Sequence, residues 1–298
     1  MLFKAAPKRG VMINFAYRRP ESLAEALDFL SAWGSKTVIL AGGTDLNVDL
    51  RQGSVRPEYV LDTSRLNELK GIELSNGQLC IGAGVTLTEI YESTLLERYA
   101  PALQKCAATF ASKQIRNVAT IGGNVAHCSP CADTMPPLLI HEAKAILAAR
   151  KGLREEPVQD IASGPYMSSL RPDEIILRFI LKPSKDVNFA DFQKIGRRKE
   201  LATARISMAF MARRTTDRKV SFLRFALGAC TSTPQRMEFI EDHLVGRVPT
   251  VQMLWEAGGL LAERVLEVTG RRPSAVYKEP AVRGLLVRML YPLLRVGA

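Results

Sequence analysis

The stretch that decides the fold is Ala119-Thr-Ile-Gly-Gly-Asn-Val-Ala-His-Cys-Ser-Pro-Cys-Ala-Asp133, followed by Thr134-Met-Pro-Pro-Leu-Leu. Residues 118–121 are short, apolar and β-branched, which predicts the end of a buried strand. Gly122 and Gly123 let the backbone approach a ligand closely because they have no Cβ. Asp133 suits the N-cap of a helix that has prolines in its first turn. Such a strand end can hold a phosphate and a ribose, although a tight turn before a capped helix is an equal alternative for one glycine pair.

A second glycine pair ends another predicted strand. It lies in Lys36-Thr-Val-Ile-Leu-Ala-Gly-Gly-Thr-Asp-Leu46, with Thr44 and Asp45 directly after the glycines. Neither stretch has the G-x-G-x-x-G or G-x-x-x-x-G-K-[ST] pattern, so neither a Rossmann site nor a P-loop is indicated. Two strand ends of this kind can clasp one diphosphate from both sides.

Taken together, the two segments resemble a known family. Residues 39–46 and 113–124, followed by Ser129-Pro130 and Asp133, are similar to the two FAD-binding segments of the molybdenum hydroxylase flavoproteins. These are the FAD-binding medium subunits of bacterial xanthine dehydrogenase and carbon monoxide dehydrogenase. The likeness extends from about Asn14 to Lys278.

The resemblance implies a role for particular residues. The first segment would wrap the diphosphate and the adenine side, and the second would hold the diphosphate, the ribityl chain and the ribose. Ile176 would pack on the isoalloxazine, and a lysine after the strand at 189–192 would point at the flavin ring, a position that either Gln193 or Lys194 fills here. The implied FAD-binding residues are Leu40, Ala41, Gly42, Gly43, Thr44, Asp45, Leu46, Ala119, Thr120, Gly123, Asn124, Ser129, Asp133, Ile176 and Lys194.

The resemblance also implies the partners. Relatives work beside a small subunit with two [2Fe–2S] clusters and a large subunit with the molybdopterin cofactor, so neither cofactor is expected in this chain. The implied function is to take electrons from the iron–sulfur subunit through FAD to NAD or another acceptor. We expect non-covalent FAD, since His127 and Cys128 are the only plausible residues for covalent attachment. The alternatives are a stand-alone FAD oxidoreductase of the same fold and a scaffold subunit that has lost its flavin.

Length and composition are those of an ordinary globular protein. The chain has 298 residues, 47% of them hydrophobic and 24% charged, which is enough for two or three cores. No apolar run reaches the length of a membrane span, and the N-terminus lacks a signal-peptide core, so we expect the cytoplasm. Residues 1–11 are expected to be a tail.

Separate runs of strands and helices indicate an α+β fold. The resemblance implies a PCMH-type FAD-binding domain in two parts, which we expect as a small α/β unit at 1–64 and an antiparallel α+β unit at 65–184. A C-terminal antiparallel sheet with helices would occupy 185–298. Capping boxes are predicted at Ser22 and Thr86, and a hairpin turn at residues 75–77. The predicted helices include 101–112, 235–244, 251–268 and 280–294, and the predicted strands include 205–212 and 220–227.

Basic residues are concentrated in the C-terminal part. Residues 182–298 contain 21 of the 41 Lys/Arg but only 11 of the 30 Asp/Glu. No nucleic-acid-binding signature accompanies them, so we expect no nucleic acid partner. We expect arginines such as Arg213, Arg214 and Arg224 to dock partner subunits, and a solvated basic face is the equal alternative.

The remaining chemistry-bearing residues suggest no catalytic group. Cys128 and Cys131 form the only close cysteine pair, either a redox pair or two small residues near the flavin, and one C-x-x-C is weak support for a metal. His127 is expected either to line the flavin or to be a satisfied loop residue, while His141 and His243 are expected at the surface. No His, Cys or carboxylate grouping has metal-ligand spacing. Flavin supplies its own redox chemistry, so a catalytic acid or base is not required.

Overall fold

The computed structural model describes residues 14–184, 186–198, 201–270 and 275–295. The predicted tail at residues 1–11 lies outside these ranges. Three main sheets with surrounding helices confirm the predicted α+β class. The exact limits of the three units stay a prediction. No helix in the described ranges is long and apolar enough to cross a membrane.

The first unit is a small parallel sheet with two helices. Its elements are β1 (Ala16–Arg18), α1 (Leu23–Trp33), β2 (Thr37–Leu40), α2 (Leu46–Gln52) and β3 (Tyr59–Asp62). The strand order is β1-β3-β2, and both outer strands run parallel to β3. Ser22 caps α1 by accepting a hydrogen bond from the backbone N–H of Glu25. The predicted capping box is incomplete, because the side chain of Glu25 accepts from the N–H of Glu21 rather than from that of Ser22. This unit delivers the first glycine pair directly after β2.

The second unit is a five-stranded antiparallel sheet covered by short helices. Its elements are β4 (Ile72–Ser75), β5 (Gln78–Gly82), α3 (Leu87–Glu92), α4 (Thr94–Tyr99), α5 (Pro101–Ala108), α6 (Lys113–Arg116), α7 (Ile121–Ala126), α8 (Met135–Ile140), β6 (Lys144–Ala149), β7 (Gly152–Pro157), α9 (Val158–Ile161), β8 (Ala162–Gly164), β9 (Met167–Ser168) and β10 (Ile175–Leu181). The strand order is β4-β5-β10-β6-β7, and β8 and β9 form a separate two-stranded hairpin.

Local signals in this unit determine local structure as predicted. Asn76 and Gly77 both have positive φ, 51° and 75°, which suits the tight turn between β4 and β5. Thr86 and Glu89 form a complete capping box at the start of α3. Each side chain accepts from the other residue's backbone N–H, so two otherwise unpaired donors are satisfied.

The C-terminal unit is a four-stranded antiparallel sheet with helices. Its elements are β11 (Phe189–Gly196), β12 (Ala204–Arg214), β13 (Val220–Gly228), β14 (Gln235–Arg236), α10 (Glu238–Leu244), α11 (Val251–Thr269) and α12 (Ala275–Leu290). The strands follow in sequence order, β11 to β14. The two strands predicted at 205–212 and 220–227 are confirmed as β12 and β13, and Thr250 caps α11 as its sequence suggests.

Shared apolar clusters hold the units together. Ala26 and Leu30 of α1 pack with Leu61 of β3 against residues of β6 and β10, so the first two units have a common core. A separate cluster joins α5 and α8 to β11, β12 and β13, with Cys106 and Phe192 among its members. The C-terminal sheet is therefore fixed directly onto the helices of the second unit.

Three predicted elements are wrong. Residues 118–121 do not end a strand: Ile121 begins α7, Thr120 caps it, and Val118 is 48% exposed. The helix from Pro101 ends at Ala108 rather than near residue 112. The helix predicted from residue 235 begins only at Glu238, because residues 235–236 add β14 to the edge of the sheet.

The last predicted helix begins earlier than its proline suggests. Pro280 lies inside α12, which starts at Ala275 in the described residues. A proline here removes the bond to the carbonyl of Val276, four residues earlier. Val276 is 83% exposed, so water can satisfy that carbonyl. The exposed first turns of α12 thus tolerate a residue that usually marks a helix start.

Candidate functional site

A cleft of about 580 Å³ lies between the first two units. Three segments form most of its wall: the end of β2 with the loop after it, the segment from Ala119 to His127, and the segment that leads into β10. Two of these segments carry the two glycine pairs. The structure therefore brings together the two segments that the sequence predicts to clasp one ligand.

The loop after β2 presents an open row of backbone donors. Among the hydrogen bonds of the described residues, none uses the backbone N–H of Gly42, Gly43, Thr44 or Asp45. Gly43 has φ 69°, in the left-handed region that favours glycine. A Cβ on Gly42 would lie 2.0 Å from the carbonyl oxygen of Val118, so only glycine lets the two segments touch. Successive free amides at a loop of this kind suit an anion.

The second segment is built differently. Thr120 caps α7 by accepting from the N–H of Gly123 at 3.1 Å. The N–H of Ile121 donates to Val85, that of Gly122 to Ala83, and that of Asn124 to Thr120. Its backbone donors are thus already engaged within the protein. This segment offers the cleft side chains and a bare glycine surface rather than free amides.

Asp133 lies behind this segment and is not the helix cap that the sequence suggests. Thr134 occupies the N-cap of α8. Asp133 is buried and pairs with Lys194 of β11, with 2.6 Å between Oδ2 and Nζ. Its other oxygen, Oδ1, has no hydrogen-bond partner among the described residues. Burial raises the pKa of Asp133, and the charge of Lys194 opposes that rise.

The structure gathers most of the predicted FAD-binding residues. Those that line the cleft are Ala41, Gly42, Gly43, Thr44, Asp45, Leu46, Ala119, Thr120, Gly123, Asn124 and Ile176. Four do not line it: Leu40, Ser129, Asp133 and Lys194. Of these, Ser129 accepts from the N–H of Cys131, and Leu40 accepts from Thr63 at the end of β2. Asp133 and Lys194 meet each other at the seam with the C-terminal sheet.

Other cleft residues are not evident from the sequence patterns. Distant parts of the chain converge on the cleft and add to its wall Thr63, Phe110 and the segment from Leu170 to Pro172. Glu174 also lines it, and it is held by Arg154, whose hydrogen bonds lower the pKa of this carboxyl. A charged residue just before an apolar strand is the single sequence signal that could have marked Glu174.

His127 lines the cleft, which is one of its two predicted roles. Its Nε2 lies 3.9 Å from a carboxylate oxygen of Asp45, and its ring contacts that of Tyr166 edge-on, with 5.2 Å between centroids. Because Asp45 follows the first glycine pair and His127 the second, this pair spans the two clasping segments.

The cysteine pair does not face the cleft. Cys128 is buried and its Sγ lies 3.4 Å from the carbonyl oxygen of Val125, while Cys131 is partly buried. Burial raises the pKa of both thiols, which disfavours the reactive thiolate. Both cysteines are free thiols, and their small size suits the tight packing beside α7.

Two surface predictions are wrong. His141 is only 1% exposed and its Nδ1 lies 2.8 Å from the carbonyl oxygen of Lys182. Arg224 is not free to dock a partner: its side chain is 14% exposed and pairs with Glu142 at 2.7 Å. Helical and charge patterns cannot reveal these positions, because both residues are covered where the second unit meets the C-terminal sheet. Arg213, in contrast, is exposed as expected.

The fold and the cleft define a class of flavoprotein, and two family models agree with it. One, described as the FAD binding domain in molybdopterin dehydrogenase, matches residues 13–183. The other, the CO dehydrogenase flavoprotein C-terminal domain, matches residues 191–293. The chain belongs to the family of FAD-binding medium subunits of the molybdenum hydroxylases, and it is thus a subunit of an FAD-dependent oxidoreductase.

Individual relatives cover nearly the whole chain. The xanthine dehydrogenase FAD-binding subunit of Escherichia coli O157:H7 is 35% identical over 267 residues, 88% of this chain and 89% of that protein. The carbon monoxide dehydrogenase medium chain of Hydrogenophaga pseudoflava is 29% identical over 92% of this chain and 95% of its own length. A solved structure of carbon monoxide dehydrogenase from the same organism matches with a TM-score of 0.86 at 27% identity, covering 93% of this chain and 96% of that chain.

Proposed function

We propose that this chain is the electron-transfer flavoprotein of a molybdenum hydroxylase complex. It would take electrons from [2Fe–2S] clusters in a small partner subunit and pass them to NAD or another acceptor. A large partner subunit would carry the molybdopterin cofactor and choose the substrate. The family assignment supports the FAD-binding role, and the direction and end point of electron flow are our inference.

The observation that carries the proposal is the open row of amides at residues 42–45. Those N–H groups have no acceptor among the described residues, and their residues line the same cleft as a segment whose own donors are engaged. A diphosphate is the anion that such a row suits, and FAD contains one. The cleft volume of about 580 Å³ is that of a site for a large cofactor. The residues present therefore fit FAD.

The roles of the side chains follow from their positions. The amides of residues 42–45 would bind the diphosphate, while Thr120 and Asn124 would position the linker between diphosphate and ring. Ile176 would pack against the isoalloxazine. Asp133 and Lys194 lie behind the second segment rather than on the cleft wall, so Asp133 would reach bound FAD through Oδ1, which has no partner among the described residues. Bound FAD supplies the redox chemistry. The protein's own contribution is binding, orientation and exclusion of water.

The test begins with the purified chain. It should be yellow, and acid precipitation should release the colour into the supernatant because the flavin is held non-covalently. A colourless chain that also fails to bind added FAD would contradict the flavin role. Flavin that stays with the precipitate would contradict only non-covalent binding.

Two matched variants then test the site. We expect Asp133→Asn to weaken FAD binding more than Asp45→Asn, since Asp133 is buried with one free oxygen while Asp45 is 60% exposed in its side chain. A charge-assisted hydrogen bond is worth about 1.5–3 kcal/mol, or roughly 10- to 150-fold in Kd. Equal losses in both variants would refute this ordering. Co-purification with a molybdenum subunit, and reduction of NAD⁺ by the reduced complex, test the proposed partners and acceptor.

A further inference from the structure

Helix α8 runs from the neighbourhood of the proposed flavin site to the seam between the second unit and the C-terminal sheet. Its N-cap residue, Thr134, donates a hydrogen bond of 2.7 Å to Oδ1 of Asn124, which lines the cleft. All six of its residues, Met135–Ile140, are buried, and it packs on β12, β13 and β14. A Cβ on Gly228 of β13 would lie 2.9 Å from Cγ of Pro136, so helix and strand are in direct contact. Asp133 lies just before this helix and Glu142 lies just after it. A displacement of the helix at Glu142 would therefore also displace Asp133 at the other end.

Glu142 is held from three sides. Its Oε1 lies 2.7 Å from Nη2 of Arg224 and 3.1 Å from Nη1 of Arg236, and its Oε2 lies 2.6 Å from Nζ of Lys182. Arg224 also donates to the carbonyl oxygen of Ile140, the last residue of α8. Glu142 has φ 48°, a conformation that a non-glycine residue adopts only when its surroundings favour it. Burial raises its pKa, but the hydrogen bond from Lys182 and the arginine charges together lower it below the ordinary value.

The same sheet holds both ends of the helix. Arg224 and Arg236 belong to β13 and β14, and Lys194, which pairs with Asp133, belongs to β11. These strands form one continuous four-stranded sheet. The pair at Asp133 and the cluster at Glu142 therefore fix α8 to one rigid body at two points.

We propose that Glu142 is a positioning residue for the flavin site. By anchoring the end of α8 to the C-terminal sheet, it holds Asp133 at the distance from Lys194 that the site requires. The inference rests on the proposed FAD-binding function and goes beyond it, because Glu142 does not line the cleft. Networks of this kind act together, so loss of one member is expected to loosen the helix rather than merely one contact.

The test compares Glu142→Gln with a matched control, Glu155→Gln. Glu155 pairs with Lys144 at 2.9 Å in the same unit, but both side chains are more than half exposed. We expect Glu142→Gln to raise the Kd for FAD roughly tenfold and to shift the visible flavin spectrum, and the control to change neither. Arg224→Lys keeps the charge but loses the forked geometry of the guanidinium, so we expect its Kd for FAD to lie between those of Glu142→Gln and Glu155→Gln.

A second readout does not depend on flavin. The Sγ of Cys106 lies 3.1 Å from the carbonyl oxygen of Asp133 and is fully buried, so its alkylation reports on the packing beside Asp133. In the folded chain without FAD, Glu142→Gln should speed alkylation of Cys106 by N-ethylmaleimide at least fivefold, read by peptide mass spectrometry. Cys80, on β5, serves as the internal control and should not change.

The outcomes separate the two claims. If the wild-type chain binds no FAD, the proposed function fails, and the alkylation rate of Cys106 still decides whether Glu142 positions Asp133. If Glu142→Gln lowers only the melting temperature, with flavin spectrum, Kd and Cys106 reactivity equal to the control, the residue is merely structural and the proposal is overturned. Should Glu142→Gln fail to fold, the same readouts on Arg224→Lys decide the question.

Discussion

His141 makes the stability of this protein depend on pH in a predictable way. Burial and the nearby charge of Arg224, opposed by the hydrogen bond with Lys182, together lower the pKa of His141 from its ordinary value of 6.5 to about 4. The imidazole is therefore neutral in the folded chain at pH values where it is protonated in the unfolded chain. Stability is fully present above pH 6.5 and is lost as the pH falls toward 4, because only the unfolded state takes up the proton.

The size of the loss follows from the two pKa values. One pKa unit corresponds to about 1.4 kcal/mol, so this group reduces the free energy of unfolding by about 2 kcal/mol at pH 5 and about 3 kcal/mol at pH 4. Carboxyl groups with lowered pKa, such as Glu142 and Glu174, begin to lose their contributions mainly below pH 5. Between pH 7 and pH 5 these carboxyls therefore change the stability little, and comparison with a variant that lacks His141 removes the contributions that both proteins share.

The perturbation is His141→Asn, since an asparagine amide can replace the Nδ1 donor to Lys182 and carries no titrating group. Urea unfolding at pH 7, 6 and 5 would give the free energy of unfolding of both proteins. The variant should be less stable at pH 7, because a smaller side chain leaves a gap. Relative to its own value at pH 7, however, it should lose about 2 kcal/mol less than the wild type by pH 5. Parallel pH profiles for the two proteins would refute the reasoning.

Three further predictions concern the glycine contact, the capping box and the basic surface. Gly42→Ala should lower the free energy of unfolding by about 3 kcal/mol and abolish FAD retention, since its Cβ would overlap the carbonyl of Val118. The control is Gly259→Ala on α11, whose Cβ would meet nothing within 4 Å, so its melting temperature should be unchanged or slightly higher. Thr86→Ala should lower the free energy of unfolding by about 1 kcal/mol, because the N–H of Glu89 loses its acceptor, the Thr86 hydroxyl, while the Thr86 backbone N–H can still donate to Glu89. An unchanged midpoint in urea would contradict this. Arg213→Glu should leave the flavin content unchanged, but the partner subunits should dissociate at a lower salt concentration on gel filtration. If the complex stays intact, Arg213 does not dock a partner and belongs to a solvated basic face.

Local signals account for what the sequence could predict. A hairpin at Asn76-Gly77 and a cap at Thr86 are determined by residues within one turn, so they can be read without knowing the rest of the fold. The two glycine pairs could be assigned to one cleft because their chemistry is complementary and their order resembles a family. The helix at 251–268 and the strands at 205–212 and 220–227 could be predicted because their apolar residues are regularly spaced.

What could not be predicted depends on contacts between distant segments. The apolar run at 118–121 favours a strand by composition, but Thr120 finds the N–H of Gly123 and turns the chain into a helix. The position of Asp133 in the sequence predicts a helix cap, but its carboxylate instead forms an ion pair with Lys194, 61 positions later. His141 has no pattern that marks it as buried, since its cover comes from another sheet. The errors at Asp133 and His141 fall where tertiary packing overrides a local preference, whereas at residues 118–121 one local signal, the cap at Thr120, overrides another.

The order of strands in the second unit has a consequence for how the chain is made. Strand β10 lies at the centre of its sheet, between β5 and β6, and pairs Arg178 with Gly82. It is also the last strand of that sheet to leave the ribosome. Until it arrives, β5 and β6 each have an open edge, which is a site for mispairing with other chains. A nascent chain stalled before Ile175 should therefore need a chaperone to stay unaggregated, whereas release after Leu181 lets the sheet close.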